Sequence, residues 1–490
     1  MSVLRRLGRR AEAIASARLA LSLDPMDPGA AYELSQLASD FTVSTSLRWD
    51  EHLCETLALD YAACGDDDTA LALCTLHAPQ FGPMLHYLAA RIHARNGNII
   101  VGDVPSPAPC MHESLRIARL RSLDWCFPHR IEHVPILQFA LEQYPEDGNA
   151  AYLLGNFWYA HQMADRAIES WAYSVTHTPQ NAIAWRNLGL GYVNRYDDIA
   201  AGHDAYTKAL ALTPADARLC YEYDQLQQRR GVSVATRLQF LEAHHEQVGE
   251  RDDLVIEYVT LLNIQGNHAQ ALNILSQRTF HPWEGGEGRV AAQYVAACIG
   301  LADTLLRDGN YAEALGVLER AITYPVNLGE GKLPGANENN IHYLRGIAYT
   351  ALGQHDAARA AWQLACRGES QPTSAIYYND QPPDMIFYQG LAWRHLGDEA
   401  QARAIFQRLV DYGQLHRDDE VRTDYFAVSL PSFLVFNDDP TLRNHIHCRY
   451  MEALGRVGLN DPQSDDCFAQ LIAMAPYHQG AIFHRTFAHC

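Results

Sequence analysis

One skeleton of small and aromatic residues recurs along the chain, and this repetition constrains the fold more than any other feature of the sequence. Its clearest copy consists of Leu154, Gly155, Trp158, Ala167, Trp171 and Pro179. The next copy follows directly and consists of Trp185, Leu188, Gly189, Tyr192, Tyr206, Ala209 and Pro214, with one extra residue in the turn between its helices. The interval is close to the ~34 residues of a helix-turn-helix repeat. Adjacent copies at this spacing predict stacked helical hairpins.

Weaker copies of the skeleton extend this prediction to both sides. They consist of Leu57, Ala58, Tyr61, Gly65 and Ala70; Gly266 and Ala271; Leu301, Ala302, Gly309, Tyr311, Ala314 and Ala321; Gly346, Tyr349, Gly353, Ala358, Trp362 and Ala365; and Gly390, Trp393, Gly397, Ala402 and Phe406. In each copy, small residues allow two helices to approach closely, and aromatic residues fill the gaps between them. The glycine after the first helix permits a left-handed turn. A single hairpin cannot cover its own apolar face, so hairpins of this kind must stack.

On these residues the chain resembles a tetratricopeptide-repeat protein over most of its length. The resemblance implies an all-α fold, a right-handed superhelix of about ten helix-turn-helix units with loop inserts. We expect two parts, residues 1–275 with an incomplete first repeat and residues 276–490 with most of the inserts. Leu7, Gly8 and the residues up to Pro25 match only the end of a first helix and a whole second helix. We therefore expect either another cap at this end or a longer polypeptide that begins upstream.

Charge and cysteine content narrow the classes of partner and compartment. The chain carries 58 Asp and Glu against 38 Lys and Arg, a formal net charge of −20, so its surface repels a phosphate backbone and nucleic acid is excluded as an expected partner. No uninterrupted apolar stretch reaches the roughly 18 residues of a membrane span, so we expect no membrane association. The 11 cysteines include no CxxC pair and favour free thiols in a reducing cytoplasm. The first 25 residues lack the apolar core of a secretory signal, so we expect a cytoplasmic protein.

Several inserts that the repeat does not require lie between the predicted hairpins. They are residues 101–111, 280–288, 327–340, 372–385 and 411–440. The loops FHPWEGGEG and NLGEGKL, with DYFAVSLPSFLVFNDD and HCRYMEALG, resemble the repeat half of a large uncharacterised bacterial family. Complete members of that family carry an amino-terminal β-sandwich similar to sugar mutarotase domains, and the family supplies no established activity.

The acidic glycine loops are the first candidate binding site. In the loop at 280–288, glycines allow a ligand to approach the backbone, Trp283 offers a stacking face, and the neighbouring polar residues His281, Glu284 and Glu287 can accept or donate hydrogen bonds. Glu330 and Lys332 belong to the second loop. Sugars suit such chemistry. The structural alternative is that glycines redirect the chain and the acids cap the helix that begins near Val290.

No residues stand out as catalytic, and no cofactor or metal is expected. Glycoside hydrolysis would need two carboxylates roughly 5 to 9 Å apart, and Glu284, Glu287 and Glu330 could supply them only if their loops converge. His445, His447 and Cys448 are metal-ligand types, but no second cluster at finger-like spacing accompanies them. The P-loop, GxSxG and HExxH motifs are absent from the sequence.

The first helices of the best two repeats supply the second candidate site. Tyr152, Asn156, Tyr159, Arg186 and Asn187 are predicted to line a concave groove that binds a protein or peptide. Tetratricopeptide domains that bind acidic chain ends use Lys and Asn at such positions. Here Tyr152 stands where the first Lys should be and Glu222 where an Arg should be, although Arg218 is close to a basic position. We therefore expect a peptide ligand other than an acidic terminus. The alternatives are the helical part of a carbohydrate-binding or carbohydrate-active protein, and a purely architectural spacer.

Overall fold

The structure, a computed structural model, is divided into two compact units, unit 1 (Met1–Leu212) and unit 2 (Thr213–Cys490). It describes residues 1–41, 49–75, 82–98, 110–283, 285–374, 381–421 and 435–489. The sequence-based division at residue 275 followed the loop inserts, whereas this division follows packing. Parts of three predicted inserts lie outside the described residues, namely 101–109 of the insert at 101–111, 375–380 of that at 372–385 and 422–434 of that at 411–440.

Unit 1 contains helices α1 to α12, most of them arranged as consecutive hairpins. Their bounds are Ser2–Arg6 (α1), Arg10–Leu23 (α2), Pro28–Leu37 (α3), Glu51–Ala63 (α4), Asp67–Thr75 (α5), Pro83–Arg95 (α6), Met111–Leu120 (α7), His133–Gln143 (α8), Gly148–Ala160 (α9), Ala164–His177 (α10), Ala182–Tyr196 (α11) and Ile199–Leu212 (α12). Helix α9 packs against α10, and α11 packs against α12. These are the two hairpins predicted from the clearest copies of the skeleton.

Unit 2 contains helices α13 to α26. Their bounds are Ala217–Arg229 (α13), Val234–Ala243 (α14), His245–Glu250 (α15), Asp252–Ile264 (α16), His268–Gln277 (α17), Arg289–Arg307 (α18), Tyr311–Ile322 (α19), Asn339–Ala351 (α20), His355–Ala365 (α21), Pro383–His395 (α22), Glu399–His416 (α23), Pro440–Gly458 (α24), Ser464–Met474 (α25) and Gln479–Arg485 (α26). Short 3-10 turns occupy Val326–Leu328 and Thr486–His489. Wherever the structure describes the chain, it contains helices and no β-strand, so the predicted all-α helical-repeat fold is confirmed.

In three hairpins, α9 with α10, α20 with α21 and α22 with α23, a glycine of the first helix faces an aromatic ring of the second. A Cβ atom built on Gly155 would lie 2.4 Å from the Trp171 ring, and one built on Gly346 would lie 2.1 Å from the Trp362 ring. Gly390 meets Phe406 in the same way, at 2.4 Å. Real Cβ contacts are longer than this, so only glycine lets the two helices approach to the observed distance. The small and large positions of the repeat therefore pack as the sequence predicts.

The turn between α11 and α12 consists of Asp197 and Asp198 only, so the extra residue that the spacing predicted lies in α11, which has 15 residues against 13 in α9, and not in the turn. Asp197 adopts a left-handed conformation there, with φ of 52°. In the corresponding turn after α20, Gly353 has φ of 72°. Glycine pays no steric penalty at positive φ, and Asp is among the few other residues that tolerate it.

Helix α18 is long and apolar enough, by length and composition alone, to span a membrane. Nearly half of its most apolar window is buried inside unit 2, where Val290, Tyr294 and Cys298 are covered by neighbouring side chains. It packs against α16, α17, α19 and α20. Packing within the unit accounts for its apolar character.

Candidate functional site

A chain of amide side chains crosses from α9 to α11 in unit 1. The Asn156 side-chain carbonyl accepts hydrogen bonds from Trp171 Nε1 and from Asn187 Nδ2, both at 3.0 Å. Arg186 Nη1 donates to Asn187 Oδ1 at 3.0 Å. Asn156, Tyr159, Arg186 and Asn187 are half-buried, and we call these four residues the amide surface. The structure thus joins Asn156, Arg186 and Asn187 by hydrogen bonds, and Tyr159 packs against the Trp171 ring, with ring centres 5.3 Å apart.

Tyr152, the fifth predicted residue, is only 5% exposed. Burial raises the pKa of its phenol, and a hydrogen bond with Asn156 opposes that shift. Tyr152 therefore supports Asn156 from beneath the amide surface. A ligand would meet Asn156, Arg186 and Asn187 before it met Tyr152.

The two acidic glycine loops of unit 2 meet, as a shared site would require. The backbone N–H of Phe280 donates to the carbonyl of Asn327 at 2.8 Å. The Asn327 side chain in turn donates to the carbonyls of Leu275 and Arg278, both at 2.7 Å. The loops are held together by main-chain and amide hydrogen bonds.

Glu330 caps a helix within this junction. One oxygen of its carboxylate accepts from the Gly288 N–H at 2.8 Å, and the other accepts from the Ala291 N–H at 3.3 Å. These N–H groups belong to the first turn of α18, where helical partners are lacking and a negative charge is favourable. The carboxylate that caps α18 thus comes from the neighbouring insert.

The other predicted loop residues are spread around the junction. Trp283 folds over Gly286, whose Cβ would lie 2.0 Å from the indole. His281 is 82% exposed in its side chain, with Nδ1 at 3.4 Å from Asp252 Oδ2. Glu287 is half-buried, and Glu284 lies outside the described residues. Trp283 is thus engaged within its own turn.

Lys332 is also engaged locally. Its Nζ donates to the carbonyl of Ile322 at 3.0 Å and forms an ion pair with Glu338. Glu338 directly precedes α20. The ammonium therefore ties the second insert to the end of α19 and to the start of α20.

A buried cluster of charges in unit 2 was not found by the sequence reasoning. Arg237 is 1% exposed and binds both oxygens of Asp224, with Nε to Oδ1 at 2.9 Å and Nη2 to Oδ2 at 2.5 Å. Its Nη2 also lies 3.3 Å from Glu257 Oε2, and Glu257 pairs with Arg289. The cluster joins α13, α14, α16 and α18. Two guanidinium groups and two carboxylates balance each other in charge.

A cavity of about 250 Å³ lies beside this cluster. Its polar lining includes Arg237, Glu257, Arg289 and Gln293, and Tyr477 closes one side. Glu257 could have indicated a buried charge from the sequence, because it interrupts the apolar run from Leu254 to Val259. Asp224 and Arg237 gave no such signal, since no motif spacing links them.

The first-helix surface of unit 2 is partly covered by the last segment of the chain. Helix α26 packs against α16, and Gln293 Nε2 donates to Gln479 Oε1 at 3.1 Å. Helix α26 therefore covers this part of the first-helix surface of unit 2.

The His445, His447 and Cys448 segment lies on α24. His445 Nδ1 is 3.2 Å from the carbonyl of Arg417, and His447 Nε2 is 2.9 Å from the carbonyl of Thr373. Within the described ranges, no group of three or more His, Cys, Asp or Glu side chains is arranged to hold a metal ion.

Two segments of the chain match family models described as tetratricopeptide repeat. They are residues 299–375 and 384–412. The copies predicted at 301–321, 346–365 and 390–406 lie inside these segments and are confirmed as tetratricopeptide repeats. The two copies at 154–214 lie outside both matches.

Solved structures similar to the chain are helical-repeat proteins. YrrB, described as a TPR protein with an unusual peptide-binding site, is 14% identical, with 47% of this chain and 90% of that chain covered and a TM-score of 0.27. PilW, a type IV pilus biogenesis factor, is 16% identical, with 44% and 90% covered and a TM-score of 0.26. A tetratricopeptide repeat protein from Parabacteroides merdae is 14% identical, with 57% and 93% covered and a TM-score of 0.27. At such TM-scores, no functional conclusion passes from these proteins to this chain.

Proposed function

We propose that this chain is a protein-binding scaffold and that a peptide segment of its partner binds at the amide surface of unit 1. Stacked helical hairpins present an extended face built from the first helix of each repeat, and such faces suit peptide chains better than small metabolites. The confirmed tetratricopeptide repeats in unit 2 support the scaffold class. The location of the binding surface is proposed from the geometry of unit 1.

The observation that carries the proposal is the hydrogen bond between Asn156 and Asn187. It joins the first helices of two successive hairpins and fixes both amide groups on the same side of the unit. An amide group has two N–H donors and a carbonyl acceptor, so Asn187 can donate a further hydrogen bond to a peptide carbonyl. Arg186 adds donors beside it. Amide groups held in register in this way match the main chain of an extended peptide.

The negative net charge of the chain indicates that the peptide ligand is neutral or basic. The chain carries a net charge of −20, which disfavours acidic partners. The position that would hold a Lys in a site for acidic chain ends is occupied by the buried Tyr152. Arg218, the other basic candidate, donates to Glu222 at 2.8 Å.

A peptide-display selection against the full chain tests this proposal. We expect enriched peptides to lose at least tenfold in affinity for the Asn187→Ala and Arg186→Ala variants. Arg195→Ala is the matched control, because Arg195 lies on the same helix but pairs with Asp165 at 2.8 Å, away from the amide surface. Thermal unfolding of each variant verifies that the fold is intact.

Two outcomes would reject the amide surface as the binding site. One is a selection that enriches no peptide above background. The other is a set of peptides that bind the Asn187→Ala and Arg186→Ala variants as tightly as the wild type.

The carbohydrate alternative depended on the tryptophan and the acidic residues of the inserts and on the incomplete first repeat. Glu330 is engaged as a helix cap, and Lys332 is engaged with Glu338. These contacts favour a structural role for the second loop. We therefore keep peptide binding as the single proposed function.

A further inference from the structure

The last described segment of the chain, Tyr477–His489, touches helices that precede it by a long stretch of sequence. We call these residues the terminal segment; it consists of Tyr477 and His478, helix α26 and the 3-10 turn that follows. Its Thr486 hydroxyl accepts from Arg307 Nη2 at 3.3 Å, and the guanidinium of Arg237 lies 4.8 Å from the centre of the Tyr477 ring. These contacts reach α14 and α18. Part of the surface under the terminal segment therefore comes from distant repeats.

His484 is the buried centre of this contact, with 3% exposure. Its Nε2 lies 3.0 Å from the Tyr388 hydroxyl on α22, and its Nδ1 lies 2.8 Å from the Tyr450 hydroxyl on α24. Burial lowers the pKa of His484 to about 4, so the imidazole is neutral at pH 7. The neutral His484 ring thus lies between the hydroxyl groups of Tyr388 and Tyr450 and is hydrogen-bonded to both.

Steric fit further restricts which side chains can pack around His484. Ala481 is completely buried, and a Cβ atom on Gly480 would lie 2.5 Å from the Tyr450 hydroxyl oxygen. Phe487 lies 6.0 Å from Phe387, ring centre to ring centre, in an edge-to-face arrangement. A segment that fits here needs a small residue, a hydrogen-bonding ring four residues later and an aromatic ring after three more. Gly480, His484 and Phe487 provide this pattern.

Helix α26 owes its conformation to this surface. Its seven residues, Gln479–Arg485, are too few for an isolated helix, since helices shorter than about 12 residues are marginal in water. It also packs against the preceding helix α25, to which Arg485 is tied through Asp465 at 2.7 Å. The terminal segment is therefore held much as a short helical peptide is held in a groove.

We propose that the surface formed by α14, α16, α18, α22, α24 and α25 is a binding site for a helical segment of a partner protein, and that the terminal segment occupies this site until the partner displaces it. The partner segment presents the chemistry of Gly480, His484 and Phe487: a small residue, a neutral hydrogen-bonding ring and an aromatic ring at the same spacing. This site is distinct from the amide surface and does not depend on it.

The test releases the terminal segment within the full chain. In Gly480→Leu, the new side chain meets the Tyr450 hydroxyl and prevents docking of α26. The probe is a fluorescent synthetic peptide with the sequence of residues 476–489. We expect it to bind Gly480→Leu at least tenfold more tightly than the wild type, in which the site is filled. A peptide that carries His484→Ala is expected to bind Gly480→Leu at least tenfold more weakly.

Gly316→Leu is the matched control for the protein. Gly316 is exposed on α19, and a Cβ atom there meets nothing within 4 Å. We expect this variant to bind the probe as weakly as the wild type. Tight probe binding to Gly316→Leu would reject a specific site.

Hydrogen exchange on the wild type keeps the proposal testable if Gly480→Leu fails to fold. The amides of residues 479–485 are expected to exchange through a local opening, at least tenfold faster than the buried amides of α18. Equal protection of the two helices would overturn the proposal, because the terminal segment would then be a permanent part of the core. Failure of a folded, released Gly480→Leu to bind the probe would overturn it as well. A dimer that forms through exchanged terminal segments would assign the surface to a second copy and overturn the partner proposal.

Discussion

At the residue scale, the fold depends on glycines that let helices approach aromatic rings. Gly346 and Trp362 illustrate this dependence, because the indole occupies the space that a Cβ would need. Glycine is otherwise unfavourable inside a helix, by about 1 kcal/mol relative to alanine. Its presence at this position in α20 is explained by packing and not by helix propensity.

We predict that Gly346→Ala destabilises unit 2 although alanine is the better helix former. The added methyl group would lie 2.1 Å from Trp362 Nε1, and overpacking of this kind costs about 1–3 kcal/mol in the free energy of unfolding. The matched substitution Gly316→Ala, at an exposed position of α19 with open space around it, is expected to gain about 0.5–1 kcal/mol. Urea unfolding of both variants measures the two signs. A gain in both variants would show that the Trp362 ring moves away without cost.

At the element scale, the inserts of unit 2 stabilise the ends of helices. Helix α18 begins after Gly288 without a side-chain cap from that residue, and the Glu330 carboxylate of the next insert supplies the missing acceptors. The sequence pattern indicated a cap near Val290. It could not indicate Glu330, because a cap that is 42 residues away in sequence depends on how the two loops fold together.

We predict that Glu330→Ala lowers the free energy of unfolding by about 0.5–2 kcal/mol, as the loss of a helix cap does. The amides of Gly288 and Ala291 should also exchange faster, since they lose their acceptor. Glu319→Ala is the control, because its carboxylate is exposed and pairs with Arg345 at the surface, where a pair contributes about 1 kcal/mol or less. An unchanged stability in Glu330→Ala would remove the capping role and return Glu330 to the candidate ligand-binding acids.

At the scale of the whole molecule, the local part of the architecture was predictable and the long-range part was not. Helical hairpins follow from contacts within one repeat, such as Gly155 with Trp171, and these contacts recur at a fixed spacing in the sequence. The docking of α26 depends on His484 meeting Tyr388, 96 residues earlier. The Arg237 cluster likewise joins four separate helices. Contacts of this kind leave no periodic signal, so the sequence could suggest a groove without showing what fills it.

The docked terminal segment makes the stability of unit 2 depend on pH. Burial lowers the pKa of His484 and of His478 to about 4, below the usual value of 6.5. The unfolded chain takes up protons on these rings below about pH 6.5, whereas the folded chain resists until about pH 4. Their contribution to stability is thus complete above pH 6.5 and is lost as the pH falls to 4.

Other groups around the terminal segment act against this loss or leave it unchanged. Burial raises the pKa of Asp384 on α22 to about 6, so the folded chain takes up this proton first and gains stability between pH 6 and 3.8. Asp384 therefore offsets roughly one of the two histidines. The remaining groups that face α26 and its turn are Tyr388, Tyr450 and His447, the Arg307 and Asp303 pair on α18, Arg237 on α14, and the Arg485 and Asp465 pair.

We predict that His484→Gln reverses its effect on stability between pH 7 and pH 4.5. At pH 7 the variant should lose about 1 kcal/mol, because glutamine replaces the hydrogen bonds of the ring imperfectly. At pH 4.5 the wild-type ring has lost about 2–3 kcal/mol of its contribution, and glutamine does not titrate, so the variant should be the more stable protein. Urea unfolding at the two pH values measures the difference, with His245→Gln as an exposed control. If the free energies of unfolding of His484→Gln and the wild type differ by the same amount at both pH values, the surface under the terminal segment does not hold the His484 imidazole in its neutral form.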